Sequence, residues 1–245
     1  DESDEKLARL DYSDKQTEAI ARASRASGVP ISTMCLSGHR KYPFGSHDPA
    51  IVRRSMEIMK KALALGAALG VRIIQLAGYD VYYETHDDGT VQRFFENLTR
   101  ATEMAAAYGI ILGFETMETP FMDTTQKAME YVRCVNSPYL GIYPDIGNLK
   151  NAAVVYGTDV VEDLKTGCGH IFAAHLKETN PGIYRDMMFG SGGHTEYERC
   201  IRELCTQGVR MYTGEFWYKG SETYEADICA AAKFLREKIN SACEG

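Results

Sequence analysis

The sequence predicts an α/β fold, a (β/α)8 TIM barrel formed by one domain over residues 1–245. Amphipathic segments alternate along the chain with short β-branched runs, as in a parallel sheet whose strands are joined by helices. At four places a glycine separates the amphipathic segment from the run, as expected of a residue that closes a helix in the left-handed conformation. These junctions are Gly28-Val29, Gly70-Val71, Gly109-Ile110 and Gly208-Val209.

The alternation yields six predicted strands, at 31–36, 71–76, 110–115, 140–144, 170–175 and 210–215. The predicted helices lie at about 13–27, 49–69, 90–108, 124–135, 151–166, 195–207 and 223–241. Two helix starts have signals of their own. Asp48-Pro49 combines an N-cap with a proline at the first helical position, and the run Asp123–Gln126 resembles a capping box.

A closed barrel of this type needs eight strands, two more than the six predicted, and the chain opens on a helix with no strand before it. We therefore expect that a first β-α-β segment of about 40 residues precedes this chain in the complete fold. An open doubly wound sheet is the alternative. It has less support, because no predicted strand is followed by a Gly-x-Gly-x-x-Gly fingerprint.

Composition excludes several classes of protein. A net charge of −7 and a pI near 5.4 disfavour nucleic-acid binding, which relies on lysine and arginine to displace counterions. No apolar run is long enough for a membrane span, and the acidic start Asp1–Glu5 does not resemble a signal peptide. The seven cysteines include no Cys-x-x-Cys pair. Reduced cysteines and a cytoplasmic location are therefore expected.

Four consecutive predicted strands end on an ionisable residue of metal-ligand type: Glu115, Asp145, His175 and Glu215. The intervals between them are 30, 30 and 40 residues, each about one βα repeat. In a barrel these positions converge at the C-terminal face, where active sites lie. One such carboxylate could be a solvated group or a helix cap. Four in register favour a divalent-metal centre, because buried ionisable groups need a cation to neutralise them.

The segment after His175 carries Lys177 and Arg185 and then a glycine-rich loop that includes Gly190 and Gly192. Barrels often bind phosphate at this position, so an anion site is predicted here, although glycine-rich loops also serve as plain hinges. His39 follows the strand 31–36 and faces the same end of the barrel. Contact with a ligand and an ordinary loop histidine both remain open for His39. The stretch Phe216-Trp217-Tyr218 could stack on a sugar or cover the barrel mouth.

Three runs resemble the L-ribulose-5-phosphate 3-epimerases of L-ascorbate and L-xylulose catabolism, a family of xylose-isomerase-like barrels. They are Cys35–Ser46, Ile73–Tyr83 and Tyr143–Leu149, and the likeness extends over nearly the whole chain. The resemblance implies that Glu115, Asp145, His175 and Glu215 hold one divalent ion. It also implies that Arg185 contacts substrate, and Asn148 in the third run is expected to do the same. The stretch Gly193–Tyr197 departs from the family pattern.

The implied reaction is 3-epimerisation of a ketopentose 5-phosphate, L-ribulose 5-phosphate or L-xylulose 5-phosphate, through an enediolate. Glu115 and Glu215 would be the two bases, one for each face of the planar intermediate. Zn²⁺ or Mn²⁺ is expected as the ion, and Mg²⁺ and Co²⁺ remain alternatives. The expected partner is a small-molecule sugar phosphate, and a homodimer is left open.

Two other functions remain as alternatives. An endonuclease IV-like phosphodiesterase would need more metal ligands and a basic groove, which a chain of net charge −7 disfavours. A non-catalytic sugar-phosphate-binding protein would not need both Glu115 and Glu215.

Overall fold

The computed structural model describes residues 3–218 and 220–243. Its strands are β1 (Thr33–Leu36), β2 (Ile73–Ala77), β3 (Ile111–Glu115), β4 (Leu140–Tyr143), β5 (Ala174–Lys177) and β6 (Tyr212–Glu215). Its α-helices are α1 (Asp4–Leu7), α2 (Asp14–Ser27), α3 (Pro49–Leu69), α4 (Asp88–Tyr108), α5 (Thr125–Val135), α6 (Ile146–Tyr156), α7 (Val160–Lys165), α8 (Tyr197–Thr206) and α9 (Tyr224–Cys243). Short 3₁₀ helices span Ala8–Asp11 and Ser37–Arg40.

The described residues form two compact units, the first made of residues 3–114 and Tyr131–Gly141. Its sheet has the order β1-β2-β3-β4, and β3 and β4 enter it with residues 111–114 and 140–141. Strand β1 pairs with β2 in parallel, from Thr33 opposite Ile73 to Leu36 opposite Leu76. All five residues of β2 are buried. Along α3 the buried residues are alternately three positions and one position apart. This spacing is typical of an α-helix that packs one face on a core.

The second unit contains Glu115–Glu130 and residues 142–243. Strands β5 and β6 are parallel, from Ala174 opposite Tyr212 to Lys177 opposite Glu215. The chain after β4 lies on the other side of β5, where Asp145 bridges to His175 and the His175 N–H donates to the Pro144 carbonyl at 2.9 Å. This unit therefore holds the ends of four successive βα repeats.

Most element predictions are confirmed. The six strands occur within the described residues, and Gly28, Gly70 and Gly109 close α2, α3 and α4 with φ of 70°, 82° and 66°. The predicted N-cap of α3 is also confirmed, because Asp48 accepts the Ala50 N–H at 2.7 Å. A single domain over 1–245, and a segment preceding it, stay predictions.

Three local predictions are wrong. The strand predicted at 170–175 lies at 174–177, so His175 is its second residue and not its last. The helix predicted at 151–166 begins earlier, directly after Asp145, and is divided into α6 and α7. The capping box predicted at Asp123 does not form. The first N–H groups of α5 are instead bound by Asp163, at 2.8 and 3.2 Å, and by Thr124 at 3.2 Å.

The cysteine prediction also needs correction. Cys205 at the end of α8 and Cys243 at the end of α9 form a disulfide, with their Cα atoms 6.0 Å apart. The packing of α8 against α9 brings the two thiols together, a contact that spacing in the sequence does not indicate. The other five cysteines are free thiols. Among the residues described, no helix combines the length and the apolar character that crossing a membrane requires.

Candidate active site

The four predicted ligand residues lie together in the second unit. Glu115 ends β3, Asp145 stands between β4 and α6, His175 lies in β5 and Glu215 ends β6. One ligand atom from each lies within 4.8 Å of those of the others. Asp145 is fully buried, and Glu115 and His175 are each 6% exposed. The convergence predicted from the strand ends is therefore found in the structure.

His175 is at the centre of the cluster. Its Nδ1 lies 2.8 Å from Glu115 Oε1, 3.0 Å from Glu215 Oε2 and 3.9 Å from Asp145 Oδ2. Burial opposes a charged imidazole, but Glu115 and Glu215 outweigh it and raise the pKa of His175 well above its usual value. Although burial also opposes ionisation of Glu215, His175 and Lys177 hold its pKa well below the usual range. The carboxylates thus favour a positive charge at the centre of the cluster.

Asp145 divides its two oxygens between two tasks. Oδ1 accepts the Asn148 N–H at 2.8 Å and so caps the N-terminus of α6. Oδ2 is buried and has no hydrogen-bond partner among the described residues, while Lys177 Nζ lies 3.2 Å away. Burial raises the pKa of Asp145 to about 6, against the effect of Lys177. Oδ2 therefore gains charge stabilisation from Lys177 but no aligned hydrogen bond, and it keeps acceptor capacity for a second cation.

The donor set fits a divalent ion. Three carboxylates and one imidazole suit Mn²⁺, Mg²⁺ or Zn²⁺, and the buried Oδ2 of Asp145 is an acceptor that such an ion would satisfy. Within the described residues, this is the one group of at least three histidine, cysteine or acidic side chains close enough to hold an ion. A divalent ion is therefore compatible with the residues present.

Lys177 was expected in the anion-binding loop, and that placement is wrong. Strand β5 continues through Lys177, and because strand side chains alternate, Lys177 and His175 face the same side. Its Nζ lies 3.1 Å from Glu215 Oε1. Burial opposes its charge, but Asp145 and Glu215 outweigh burial and raise the pKa of Lys177 above its usual value. Contact with substrate stays a prediction for this residue.

Thr116 and Asn148 hold the segments that follow β3 and β4 against one another. The Asp145 N–H donates to Thr116 Oγ1 at 3.0 Å, and Asn148 Nδ2 donates to the Thr116 carbonyl at 2.8 Å. Asn148 is 2% exposed, and its Oδ1 has no partner within the described residues. The sequence pointed to Asn148 as a substrate contact, which stays a prediction. It did not point to Thr116, whose one signal is its position next to Glu115.

The loop after β5 has a mixed charge. The Arg185 side chain is 45% exposed, pairs with Glu118 at 3.2 Å and lies 5.9 Å from the centre of the Trp217 ring. Gly190 and Gly192 adopt positive φ, 77° and 84°. Burial raises the pKa of Glu178, although the Gly190 N–H favours its ionised form. This N–H group therefore already faces a carboxyl group, and phosphate binding at Arg185, Gly190 and Gly192 stays a prediction.

Trp217 and Tyr218 are 44% and 73% exposed and line an open apolar cavity of about 620 Å³. His39 belongs to the first unit, where it is buried. Its Nε2 donates to the Ser55 carbonyl at 3.1 Å, and its ring centroid lies 4.3 Å from that of Phe44. These contacts give His39 a packing role. A substrate contact from it stays a prediction.

Known proteins resemble this chain over nearly its whole length. The sequence profile of the xylose isomerase-like TIM barrel family matches residues 1–238. An L-ribulose-5-phosphate 3-epimerase UlaE from Salmonella typhimurium is 40% identical over 243 residues, which are 99% of this chain and 84% of the relative. Another with the same name, from Escherichia coli O139:H28, is 39% identical over the same shares of both chains.

Solved structures give the same fold at lower identity. A D-tagatose 3-epimerase-like protein has a TM-score of 0.77 at 18% identity, over 95% of this chain and 85% of the other. A D-psicose 3-epimerase has a TM-score of 0.76 at 16% identity, over 97% and 87%. The predicted fold class is thereby confirmed. The chain belongs to the xylose isomerase-like TIM barrel family and, within it, to the L-ribulose-5-phosphate 3-epimerase branch, and it is an enzyme of the carbohydrate epimerase class.

Proposed function

We propose that the chain catalyses 3-epimerisation of a ketopentose 5-phosphate, interconverting L-ribulose 5-phosphate and L-xylulose 5-phosphate with the help of one divalent ion. The observation that carries the proposal is the buried cluster of Glu115, Asp145, His175 and Glu215, whose ligand atoms lie within 4.8 Å of one another. The names of the relatives at 39–40% identity support the choice of substrate.

The ion would be held by the four clustered side chains, as Zn²⁺ or Mn²⁺, with Mg²⁺ or Co²⁺ as alternatives. When bound, a divalent cation supplies positive charge that stabilises the oxygen atoms of the sugar as C3 loses its proton. Asp145 and His175 serve as ligands alone in this scheme. Burial of the cluster keeps water from weakening these electrostatic interactions.

Glu115 and Glu215 act as the two bases. They come from different strands, and each contacts the same His175 nitrogen, at 2.8 and 3.0 Å. Two carboxylates that approach one point from different strands can face opposite sides of a planar enediolate. One carboxylate removes the C3 proton from one face. The other, protonated beforehand, returns a proton to the opposite face, so that the configuration at C3 inverts.

Arg185 binds the 5-phosphate of the substrate. Its guanidinium is partly exposed and held between Glu118 and the Trp217 ring, which leaves donors available to an anion. Lys177 and Asn148 contact the sugar from within the buried site, with the Gly190 and Gly192 backbone as further predicted contacts. The surface loop thus supplies the charge that recognises phosphate, whereas the buried cluster performs the chemistry.

Solvent exchange tests the reaction. L-Xylulose 5-phosphate is incubated with the protein in D₂O, and the C3 proton is followed by NMR. We expect loss of the C3 signal together with the appearance of L-ribulose 5-phosphate, and both should stop when a chelator removes the ion. Exchange at a carbon other than C3, or no exchange in the metal-loaded protein, would refute the proposed reaction.

Variants of the two bases test their separate roles. Glu115→Gln and Glu215→Gln should each block epimerisation in both directions, because every turnover needs both carboxylates. Each variant should still exchange the C3 proton of the one epimer that faces its remaining carboxylate. We therefore expect opposite epimer preferences in deuterium exchange.

The control for this experiment is Glu162→Gln, which changes a carboxylate that is 68% exposed and paired with Lys165 on the surface. It should leave both directions of the reaction unchanged. Metal content is measured on every variant, since a neutral amide is a weaker ligand for a divalent ion than a carboxylate. Two metal-loaded variants that exchange the same epimer would mean that a single base serves both faces.

A further inference from the structure

Lys177 places a positive charge inside the candidate metal centre. It is the last residue of β5 and follows His175 by two positions, so both side chains face the cluster. Its Nζ lies 3.2 Å from Asp145 Oδ2 and 3.1 Å from Glu215 Oε1. The side chain is 8% exposed, so the ammonium group is shielded from water. Two of the four ligand residues therefore already bind a cation that belongs to the protein.

A metal ion and Lys177 would compete for the same oxygen of Asp145. Its Oδ1 is committed to the N-cap of α6 through the Asn148 N–H at 2.8 Å. Its Oδ2 remains for a metal, and this is the oxygen that Lys177 contacts. An ion bound through Asp145 must share this oxygen with the ammonium group or displace it. Glu215 has a similar division, because Oε2 faces His175 while Oε1 faces Lys177.

The charges of the site balance only when both cations are counted. Glu115, Asp145 and Glu215 contribute three negative charges, Lys177 one positive charge and a divalent ion two, with His175 neutral. Without the ion, Lys177 and the cationic imidazole of His175 together offset part of the repulsion among the carboxylates and keep them close. With the ion, the same ammonium group repels a second cation a few ångströms away.

We propose that Lys177 is a positioning residue that assembles the carboxylates before the metal arrives and lowers the affinity of the centre for its divalent ion. The inference rests on the proposed metal-dependent function and adds a role to a residue expected to contact substrate.

The test is a titration of the chelator-treated protein with Mn²⁺ alone, without sugar, by isothermal calorimetry. Lys177→Met removes the charge and should bind Mn²⁺ at least about tenfold more tightly than the wild type. Lys177→Arg keeps the charge and should stay within about threefold of the wild type. Lys150→Met is the matched control, since Lys150 pairs with Glu196 outside the cluster, and it should leave the affinity unchanged.

Thermal unfolding gives a second readout that needs no activity. The metal-free Lys177→Met protein should melt at a lower temperature than the metal-free wild type, because the carboxylates lose their counter-charge. Addition of Mn²⁺ should raise the Tm of the variant by more than it raises the Tm of the wild type. Lys177→Gln, which keeps a donor without charge, provides the same comparison if the Met variant does not fold.

Two negative results have different meanings. A neutral variant that binds Mn²⁺ no more tightly than the wild type would overturn the role of Lys177 while leaving the metal centre intact. A wild type that fails to bind one equivalent of Mn²⁺ would overturn the centre itself and, with it, this inference.

Discussion

Mild acid should destabilise the protein through His39, and the size of the effect follows from its surroundings. The imidazole is 4% exposed, donates from Nε2 to the Ser55 carbonyl at 3.1 Å and packs on Phe44. Its Nδ1 has no hydrogen-bond partner within the described residues, so a proton added there would be buried without an acceptor. Burial lowers the pKa of His39 from 6.5 to about 4, against a smaller opposing effect of the Ser55 carbonyl.

The direction and the magnitude follow from proton linkage. Between these two pKa values the unfolded chain binds a proton at His39 and the folded chain does not, so stability present above pH 6.5 is lost as the pH falls. The loss is RT ln[(1 + 10^(pKa,U − pH))/(1 + 10^(pKa,N − pH))]. It amounts to about 2 kcal/mol at about pH 5 and about 3 kcal/mol at about pH 4.

The assay compares urea unfolding of the wild type and of His39→Gln at about pH 7.5 and about pH 5. Other groups titrate in both proteins, so we compare how much free energy of unfolding each protein loses between the two pH values. This loss should be about 2 kcal/mol larger in the wild type than in the variant. NMR of the imidazole Cε1–H, assigned with the variant, measures the pKa directly. An imidazole that titrates near 6.5, or equal losses in both proteins, would refute the reasoning.

Three further changes test the second unit. Arg185→Ala should raise KM for the phosphorylated sugar roughly tenfold to a hundredfold but leave KM for the unphosphorylated ketose unchanged, in steady-state kinetics. Thr116→Val removes the acceptor of the Asp145 N–H and should raise the Mn²⁺ dissociation constant about tenfold by calorimetry; an unchanged constant contradicts this. In Gly147→Ala the new Cβ would lie 2.8 Å from the Lys177 carbonyl, so we expect about 1–3 kcal/mol less stability in urea unfolding.

The sequence was sufficient to predict that the four candidate ligands converge, because a parallel βα repeat brings successive strand ends to one edge. Glu115 and Glu215 are the last residues of their strands, as the apolar runs before them indicated. Lys177 was misplaced because a lysine after an apolar run usually marks the end of a strand. Here β5 continues because the buried ammonium group is neutralised by Asp145 and Glu215, which lie 32 and 38 residues away.

Long-range contacts explain the other errors. Asp163 caps the N-terminus of α5 from 38 residues further along the chain, whereas the sequence indicated a local capping box that begins at Asp123. Asp123 instead binds Lys127 at 2.6 Å and the Tyr156 hydroxyl at 2.6 Å. His39 adjoins the predicted active end of its strand, yet its ring is held by the backbone of α3. Such contacts depend on the packing of distant helices, which local patterns do not encode.

The two tasks of Asp145 limit how this enzyme can vary. One carboxylate oxygen caps a helix N-terminus while the other faces Lys177 and is the proposed metal ligand, so a change that suits a different ion also removes the cap. A cap is worth about 1 kcal/mol, and a longer glutamate would place its oxygens beyond the Asn148 amide. Because Glu115 and Glu215 are also the proposed bases, laboratory evolution toward a new metal should proceed through His175 and leave position 145 unchanged.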